Sequence, residues 1–156
     1  MKMNLHPAHD DTDGSIMVTI ANQLTVGKRT AETHTFARFD WENAICCKLD
    51  FMDLCHILQV LRGECESIED GRGLYHRSKS ASTRIVLRHI LECAQGYSFE
   101  MYRTAANGTE SSAHIFLSAT EALGLCEAIS GSMSIISFGI PMLVAHEKYA
   151  KHEEAC

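Results

Sequence analysis

Two stretches of this sequence repeat the same helix signal 68 residues apart, one beginning at Leu49 and the other at Leu117. In each stretch a capping residue is followed three positions later by an acid, and a glycine closes the pattern. The matched pairs are Asp50 with Ser118, Asp53 with Glu121, and Gly63 with Gly131. The cap oxygen and the acid satisfy unpaired N–H groups of a first helical turn, and glycine suits the left-handed residue after a helix. Both stretches therefore predict helices.

Strand-like runs precede both helices, so the repeated unit is a set of strands followed by a helix. The runs that predict strands lie at 16–20, 35–41, 44–48, 74–77, 83–91, 97–104 and 113–117. We predict an α+β fold with two four-stranded antiparallel sheets and two helices, from an internal ββββα duplication covering about 16–63 and 74–131. Coincidence between two ordinary amphipathic helices is the alternative.

The length of 156 residues fits one domain. We predict a disordered leader at 1–15, a single domain at 16–141 and a C-terminal tail at 142–156. The leader carries three aspartates and no arginine, unlike a signal or transit peptide. No apolar run approaches the ~20 residues that a membrane span needs. These features predict a cytoplasmic protein, associated with the nucleoid if the source is bacterial, without a membrane partner.

The seven cysteines are odd in number and include no Cys-x-x-Cys pair. We interpret them as small buried hydrophobes in a reducing compartment, with a zinc site as the alternative. The sequence also lacks Gly-x-Ser-x-Gly, phosphate-loop and His-Glu-x-x-His motifs. A Cys93–His89 nucleophile pair would have no orienting group. We therefore predict a protein that is not an enzyme and holds no cofactor or metal.

The formal net charge of −6 argues against a protein that binds nucleic acid through a generally basic surface. It permits a local patch, because the acids concentrate near the two ends and at 64–70 while the arginines cluster elsewhere. One such cluster contains Arg72, His76, Arg77 and Lys79. An ordinary polar loop is the alternative explanation of that cluster.

Sorting the strand residues by side gives an apolar set and a set in which arginines alternate with aromatic rings. The apolar set is Phe39, Trp41, Ile85, Leu87, Tyr97, Phe99, Met101, Ala113, Ile115 and Leu117. The opposite set contains Phe36, Arg38, Arg84, Arg88, Tyr102, His114 and Phe116. Cations meet phosphates and rings stack on bases, so the second set is typical of a surface for single strands. One alternative is a solvated sheet face on which a neighbouring subunit covers the few aromatic side chains. The other is a one-residue slip of the register, which would exchange the two sets.

The predicted helices carry apolar residues on more than one stripe. These residues are Leu54, Ile57, Leu58, Val60 and Leu61 in the first helix and Leu123, Leu125, Cys126 and Ile129 in the second. We expect one sheet to be unable to cover them all. Exposed apolar patches of this kind mark interfaces, so a homo-oligomer is predicted, with a tetramer as the expected form.

Several segments, taken in order, resemble the Whirly family of single-stranded-DNA-binding proteins. The Phe-Asp-Trp-Glu segment at 39–42 is similar to that family's Tyr-Asp-Trp-Glu segment, and both helix starts are similar to its Leu-Ser-x-x-Glu pattern. Further similar segments lie at 66–77, 96–99 and 135–140, and Asn107 falls near the family's polar hairpin turn. The resemblance covers about two thirds of the chain. The family's Lys-Gly-Lys-Ala-Ala-Leu strand is missing, and only residues 27–29 remain near its place.

This resemblance implies two antiparallel four-stranded sheets with helices beneath, four protomers joined through their helices, and single-stranded DNA as the partner. Kinetoplastid guide-RNA-binding proteins share the fold, so RNA is a further candidate. The predicted function is sequence-tolerant binding of single strands, in the context of transcription regulation. The predicted binding residues are Lys28, Arg29, Phe36, Arg38, Arg77, Arg84, Arg88, Tyr102 and Phe116. The alternative function is a structural or protein-interaction module of the same fold.

Overall fold

A computed structural model describes residues 1–8, 12–30, 33–91 and 95–138. Its helices are α1 (Phe51–Leu61) and α2 (Ala119–Phe138), with a short 3-10 turn at Ile68–Gly71. Its strands are β1 (Lys2–His6), β2 (Ser15–Ile20), β3 (Gln23–Thr25), β4 (Lys28–Arg29), β5 (His34–Thr35), β6 (Arg38–Phe39), β7 (Ile45–Leu49), β8 (Leu74–Arg77), β9 (Ala81–Ile90), β10 (Gly96–Ala105) and β11 (Glu110–Ser118). The predicted tail at 142–156 lies outside the described residues. Neither helix, as far as it is described, is both long and apolar enough to cross a membrane.

The second sheet is four-stranded and fully antiparallel, in the order β11-β10-β9-β8. Its register pairs Phe99 of β10 with Leu87 of β9 on one side and with Ile115 of β11 on the other. Since side chains alternate between the faces of a sheet, this register places the apolar set of these strands on one side. Its members are buried except Ile115, which is partly buried. This part of the sequence-based sorting is confirmed.

The first sheet has three strands among the described residues, in the order β1-β2-β7. Beyond Ile20 and Ile45 the hairpin of β2 and β7 continues as two short pairs, β3 with β6 and β4 with β5. We call residues 22–40 the arm. The expected fourth strand of this sheet is therefore replaced by a projecting hairpin, because the pairing is interrupted at a register shift between Gln23 and Thr25.

Both helices begin with the predicted capping box. In α1 the backbone N–H of Asp53 donates to Asp50 Oδ1 and the N–H of Asp50 donates to Asp53 Oδ2, both at 2.9 Å. In α2 the N–H of Ser118 donates to Glu121 Oε2 at 2.9 Å. Hydrogen bonds from the Ser118 side chain and backbone hold the pKa of the exposed Glu121 below its usual value. The helix starts of the two repeats are thus confirmed.

The two helix ends differ. Gly63 has φ +73° and follows α1, where its N–H donates to Val60 O and the N–H of Glu64 donates to Gln59 O. Gly131, in contrast, lies inside α2, and the prediction that it ends the helix is wrong. A Cβ at Gly131 would meet nothing within 4 Å, and buried Ile129 and Ile136 keep one apolar face across this glycine.

Three further expectations need correction. Residues 2–6 of the expected disordered leader form β1, because they pair in register with β2 from Lys2–Thr19 to His6–Ser15. Phe39 and Trp41, expected in the core, are exposed because they belong to the arm and its base. The apolar stripes of the helices are buried within one protomer except for Leu123, since the helices contact strands of both sheets as well as each other.

Candidate nucleic-acid interface

The outer face of the second sheet, which points away from the helices, carries a row of aligned side chains. Tyr75 of β8 pairs with Arg84 of β9, Arg84 pairs with Tyr102 of β10, and Tyr102 pairs with Ser112 of β11. The Arg84 guanidinium carbon lies 4.7 Å from the centre of the Tyr102 ring. These four residues line a groove of about 600 Å³. The row therefore places a cation between two aromatic rings.

Tyr75 is the residue that the sequence analysis missed. Its side chain is 67% exposed, whereas its neighbour Leu74 is buried. This alternation within β8 was available from the sequence, because Leu74 continues the apolar set and Tyr75 must then point to the other face.

A second row on the outer face contains Arg88, Ser98 and Phe116, which are paired across β9, β10 and β11. The Phe116 ring is 49% exposed and lies over the backbone at Gly96. A Cβ added to Gly96 would come within 2.4 Å of Phe116 Cζ, so glycine is needed for this close approach. The ring is thus held against the sheet with one side free.

Glu100 lies between the two rows and is the hydrogen-bond centre of the face. Its carboxylate accepts from Tyr102 Oη at 2.5 Å, from Ser98 Oγ at 2.7 Å and from Arg88 Nη2 at 3.4 Å. Burial acts to raise the pKa of Glu100, but the hydrogen bonds from Tyr102 and Ser98 and the charge of Arg88 outweigh it and lower the pKa. Glu100 is therefore ionised at neutral pH and partly neutralises Arg88, whereas Arg84 has no carboxylate partner among the described residues.

The predicted binding residues fall into two groups. Arg77, Arg84, Arg88, Tyr102 and Phe116 belong to the second sheet, while Lys28, Arg29, Phe36 and Arg38 belong to the arm. Phe36 is exposed and contacts the His34 ring edge-on, with 4.5 Å between the ring centres. The expectation that Phe36 and Arg38 share one strand face with Arg84 is wrong, because the described strands of the arm pair with one another and not with the second sheet.

The base of the arm is nevertheless fixed to the second sheet. Asn22 Nδ2 donates to the carbonyl of Ser112 at 2.8 Å, and the N–H of His114 donates to Asn22 Oδ1 at 3.3 Å. Both partners lie on β11, the edge strand that also carries Phe116. The arm therefore leaves the molecule beside the outer face.

The basic cluster predicted around residue 76 is not a single surface. Arg72 pairs with Glu69 at 3.7 Å, and Lys79 lies in the turn before β9. His76 points to the inner side of its strand, where its Nε2 lies 3.3 Å from Asp53 Oδ2. Arg77 is exposed at the end of β8. The structure does not bring these four side chains together on one surface, although His76 and Arg77 both line a groove at the end of β8.

The five cysteines within the described residues show no arrangement that points to chemistry. Cys46 and Cys47 face opposite sides of β7, and burial raises the pKa of the Cys47 thiol to about 11, so that it stays protonated. Cys126 is buried, as predicted, Cys55 is partly buried, and Cys93 lies outside the described residues. In the part of the chain that the structure describes, no group of three or more His, Cys, Asp or Glu side chains is placed to hold a metal ion.

Solved structures that match this chain share its fold at low sequence identity. WHY1 from Arabidopsis thaliana is 12% identical with a TM-score of 0.53, covering 87% of this chain and 92% of its own. WHY3 from Arabidopsis thaliana is 11% identical with a TM-score of 0.55, and the match covers 98% of this chain and 97% of WHY3. The plant transcriptional regulator PBF-2 is 10% identical with a TM-score of 0.53, covering 87% and 83%. No protein-family model and no curated protein matches the sequence. The chain therefore has a Whirly-like α+β fold, as predicted.

Proposed function

We propose that the outer face of the second sheet binds single-stranded nucleic acid with little sequence preference. The observation that carries this proposal is the row formed by Tyr75, Arg84 and Tyr102. Its arginine lies between two exposed rings and has no carboxylate partner in the part of the chain that the structure describes. Rings stack on any base, and the arginine meets phosphate, so the row suits single strands rather than duplexes. The Whirly-like fold supports the proposal, and the similarity to PBF-2 supports a role in transcription regulation.

Base stacking serves DNA and RNA alike, and the row contains nothing that selects the 2′-hydroxyl by chemistry alone. Oligo-dT and oligo-U are therefore both proposed ligands. The chain has no excess of positive charge, so most of the affinity has to come from the rings and from a few arginines. We place the function in the cytoplasm, in contact with single-stranded regions of nucleic acid.

Replacement of Arg84 by alanine tests the proposal. The variant should bind fluorescein-labelled oligo-dT more weakly, and the salt dependence of log K should flatten by about 0.7, the value for one phosphate contact on a single strand. Arg88→Ala should lower the affinity and flatten the salt dependence less than Arg84→Ala does, because Glu100 already neutralises Arg88 in part. Fluorescence anisotropy over a range of salt concentrations measures both, with duplex DNA as the comparison ligand.

Arg62→Ala is the matched control, because Arg62 lies on the helix side of the protein and donates to Ser130 Oγ. It should leave the salt dependence unchanged. Equal effects of Arg62→Ala and Arg84→Ala would contradict the proposal, since they would reflect net charge and not a site on the outer face.

Self-association is part of the proposed function, with a tetramer as the proposed form. Within one protomer the exposed apolar side chains of the helices include Met52 and Leu123, at 61% and 60% exposure. Light scattering should give a mass above the 17.3 kDa of one chain, and the Met52→Asp/Leu123→Asp variant should lower it. Leu24→Asp, on the arm, is the matched control. A mass of one chain for the unaltered protein would overturn this part.

A protein-interaction module is the second candidate function. The specific observation is the arm, on which Leu24, Val26 and Phe36 are all exposed. The anisotropy experiment separates the candidates, because a folded protein that binds neither oligo-dT nor oligo-U would leave the interaction module as the function that the arm favours.

A further inference from the structure

A second groove, separate from the row on the outer face, lies where the two sheets meet. Its volume is about 390 Å³, and its walls come from β7 and from the ends of β8, β9 and β10 near the turn at 78–80. β7 is an edge strand of the first sheet among the described residues, so one wall is a sheet edge. We call this groove the junction cleft. Its polar side chains include Lys48, His76, Arg77, Ser78, Ser80 and Arg103.

The junction cleft concentrates positive charge without a compensating carboxylate. Lys48, Arg77 and Arg103 all line it, and no aspartate or glutamate does. None of these three side chains has an ion pair or a side-chain hydrogen bond within the described ranges. Acidic residues outnumber lysine and arginine by 20 to 14 in this chain. Three unpaired cations around one cleft repel each other, so an anion that enters is favoured by all three.

The remaining lining adds no acidic side chain. His76 Nε2 is buried and has no hydrogen bond, although Asp53 Oδ2 lies 3.3 Å away behind it. Asp53 is in turn engaged by the N–H of Asp50, so its charge is directed to the helix start and not into the cleft. The Ser78 hydroxyl accepts the N–H groups of Ser80 and Ala81 and holds the turn in place. One wall is thus a turn held by hydrogen bonds, and Lys48, Arg77 and Arg103 line the same cleft.

We infer that the junction cleft binds a phosphomonoester, either the terminal phosphate of a nucleic-acid strand or the phosphate of a free nucleoside monophosphate. A phosphomonoester is close to a dianion at neutral pH, whereas an internal phosphodiester carries one negative charge. Three cations therefore favour the monoester more strongly. Two of them are arginines, whose planar fork matches phosphate oxygens. The cleft volume falls in the range of small-ligand sites, roughly 300–1,000 Å³.

The cleft and the groove on the outer face share one lining residue. Arg103 lines both, because it lies at the end of β10 where the sheet finishes. A strand that crosses the row of Tyr75, Arg84 and Tyr102 towards this end would bring its terminus to the cleft. The terminal-phosphate source rests on the proposed function, whereas binding of a free nucleotide does not.

The test measures both sources on the full chain. Isothermal titration calorimetry compares AMP with adenosine, and anisotropy compares oligo-dT with and without a terminal phosphate. The Lys48→Gln variant should weaken the phosphate-dependent binding at least about fivefold, as expected for loss of a charged contact. It should leave binding of unphosphorylated oligo-dT unchanged, since Lys48 is not on the outer face. Lys79→Gln is the matched control, because it removes the same charge nearby without lining the cleft.

Each outcome decides the inference. The free nucleotide is supported as the source if the protein binds AMP but not adenosine and Lys48→Gln weakens the binding of AMP. The strand terminus is supported if the phosphorylated oligonucleotide binds more tightly than the unphosphorylated one and Lys48→Gln removes this difference. The inference is overturned if neither ligand shows a phosphate-dependent gain, or if Lys79→Gln weakens binding as much as Lys48→Gln. If oligo-dT binds and a terminal phosphate adds no affinity, the cleft is not a phosphate site, and the proposed function of the outer face still stands.

Discussion

Replacement of both Tyr75 and Tyr102 by alanine is expected to lower the affinity for oligo-dT by about 1–3 kcal/mol for each base that stacks on a ring. Both rings are exposed, and both flank Arg84 in one cross-strand row. The side chains carry no charge at neutral pH, so the salt dependence of binding should stay as in the unaltered protein. Anisotropy titrations at two salt concentrations measure the affinity and its salt dependence together.

The conservative Tyr75→Phe change is the control, since it keeps the ring and removes only a hydroxyl. It should retain most of the affinity that Tyr75→Ala loses. Tyr102→Ala has a second effect, because the Tyr102 hydroxyl donates to Glu100 and its removal also releases that carboxylate. Unchanged binding by the folded double variant would mean that a strand does not stack on this row.

The Phe99→Ala variant is expected to lose about 3–5 kcal/mol of unfolding free energy, the usual cost of removing a buried aromatic ring. Phe99 is 2% exposed and lies in the middle of β10, between Leu87 and Ile115. A loss of this size is a large part of the roughly 5–15 kcal/mol that a domain typically has. Urea denaturation followed by circular dichroism measures the change.

Phe116→Ala is the matched control on the opposite face of the same sheet. Half of this ring is exposed, so its removal should cost about 1 kcal/mol or less. The effects on oligonucleotide affinity should be reversed: Phe116→Ala should lower the affinity, and folded Phe99→Ala protein should keep it. Equal losses of stability would contradict the assignment of the two faces.

The sequence was sufficient where local patterns agree with the tertiary structure. In strands β9 to β11 buried apolar residues recur at every second position, and the observed register places Phe99, Met101 and Leu117 on the same side. The capping boxes at Asp50 and Ser118 are local in sequence and formed as expected. The outward direction of Arg84, Arg88 and Tyr102 follows from the same alternation.

The missed features depend on pairings that the sequence does not state. β1 is mostly exposed and polar, and it becomes a strand only because β2 offers it an edge. Residues 35–41 alternate well, but their partner strand has a register shift, so the run breaks into the short pieces of the arm. Trp41 then lies outside the core, with the Lys2 ammonium 4.0 Å from its ring. The junction cleft likewise joins residues from β7 and β10 that no local pattern relates.

The carboxylate of Glu100 has a consequence for how long a strand would stay on this protein. Glu100 Oε2 lies 3.4 Å from Arg88 Nη2, so a phosphate that approaches Arg88 has to compete with this carboxylate. Competition of this kind acts mainly on dissociation, which is where related complexes differ most. We therefore expect such a face to exchange its bound strands quickly.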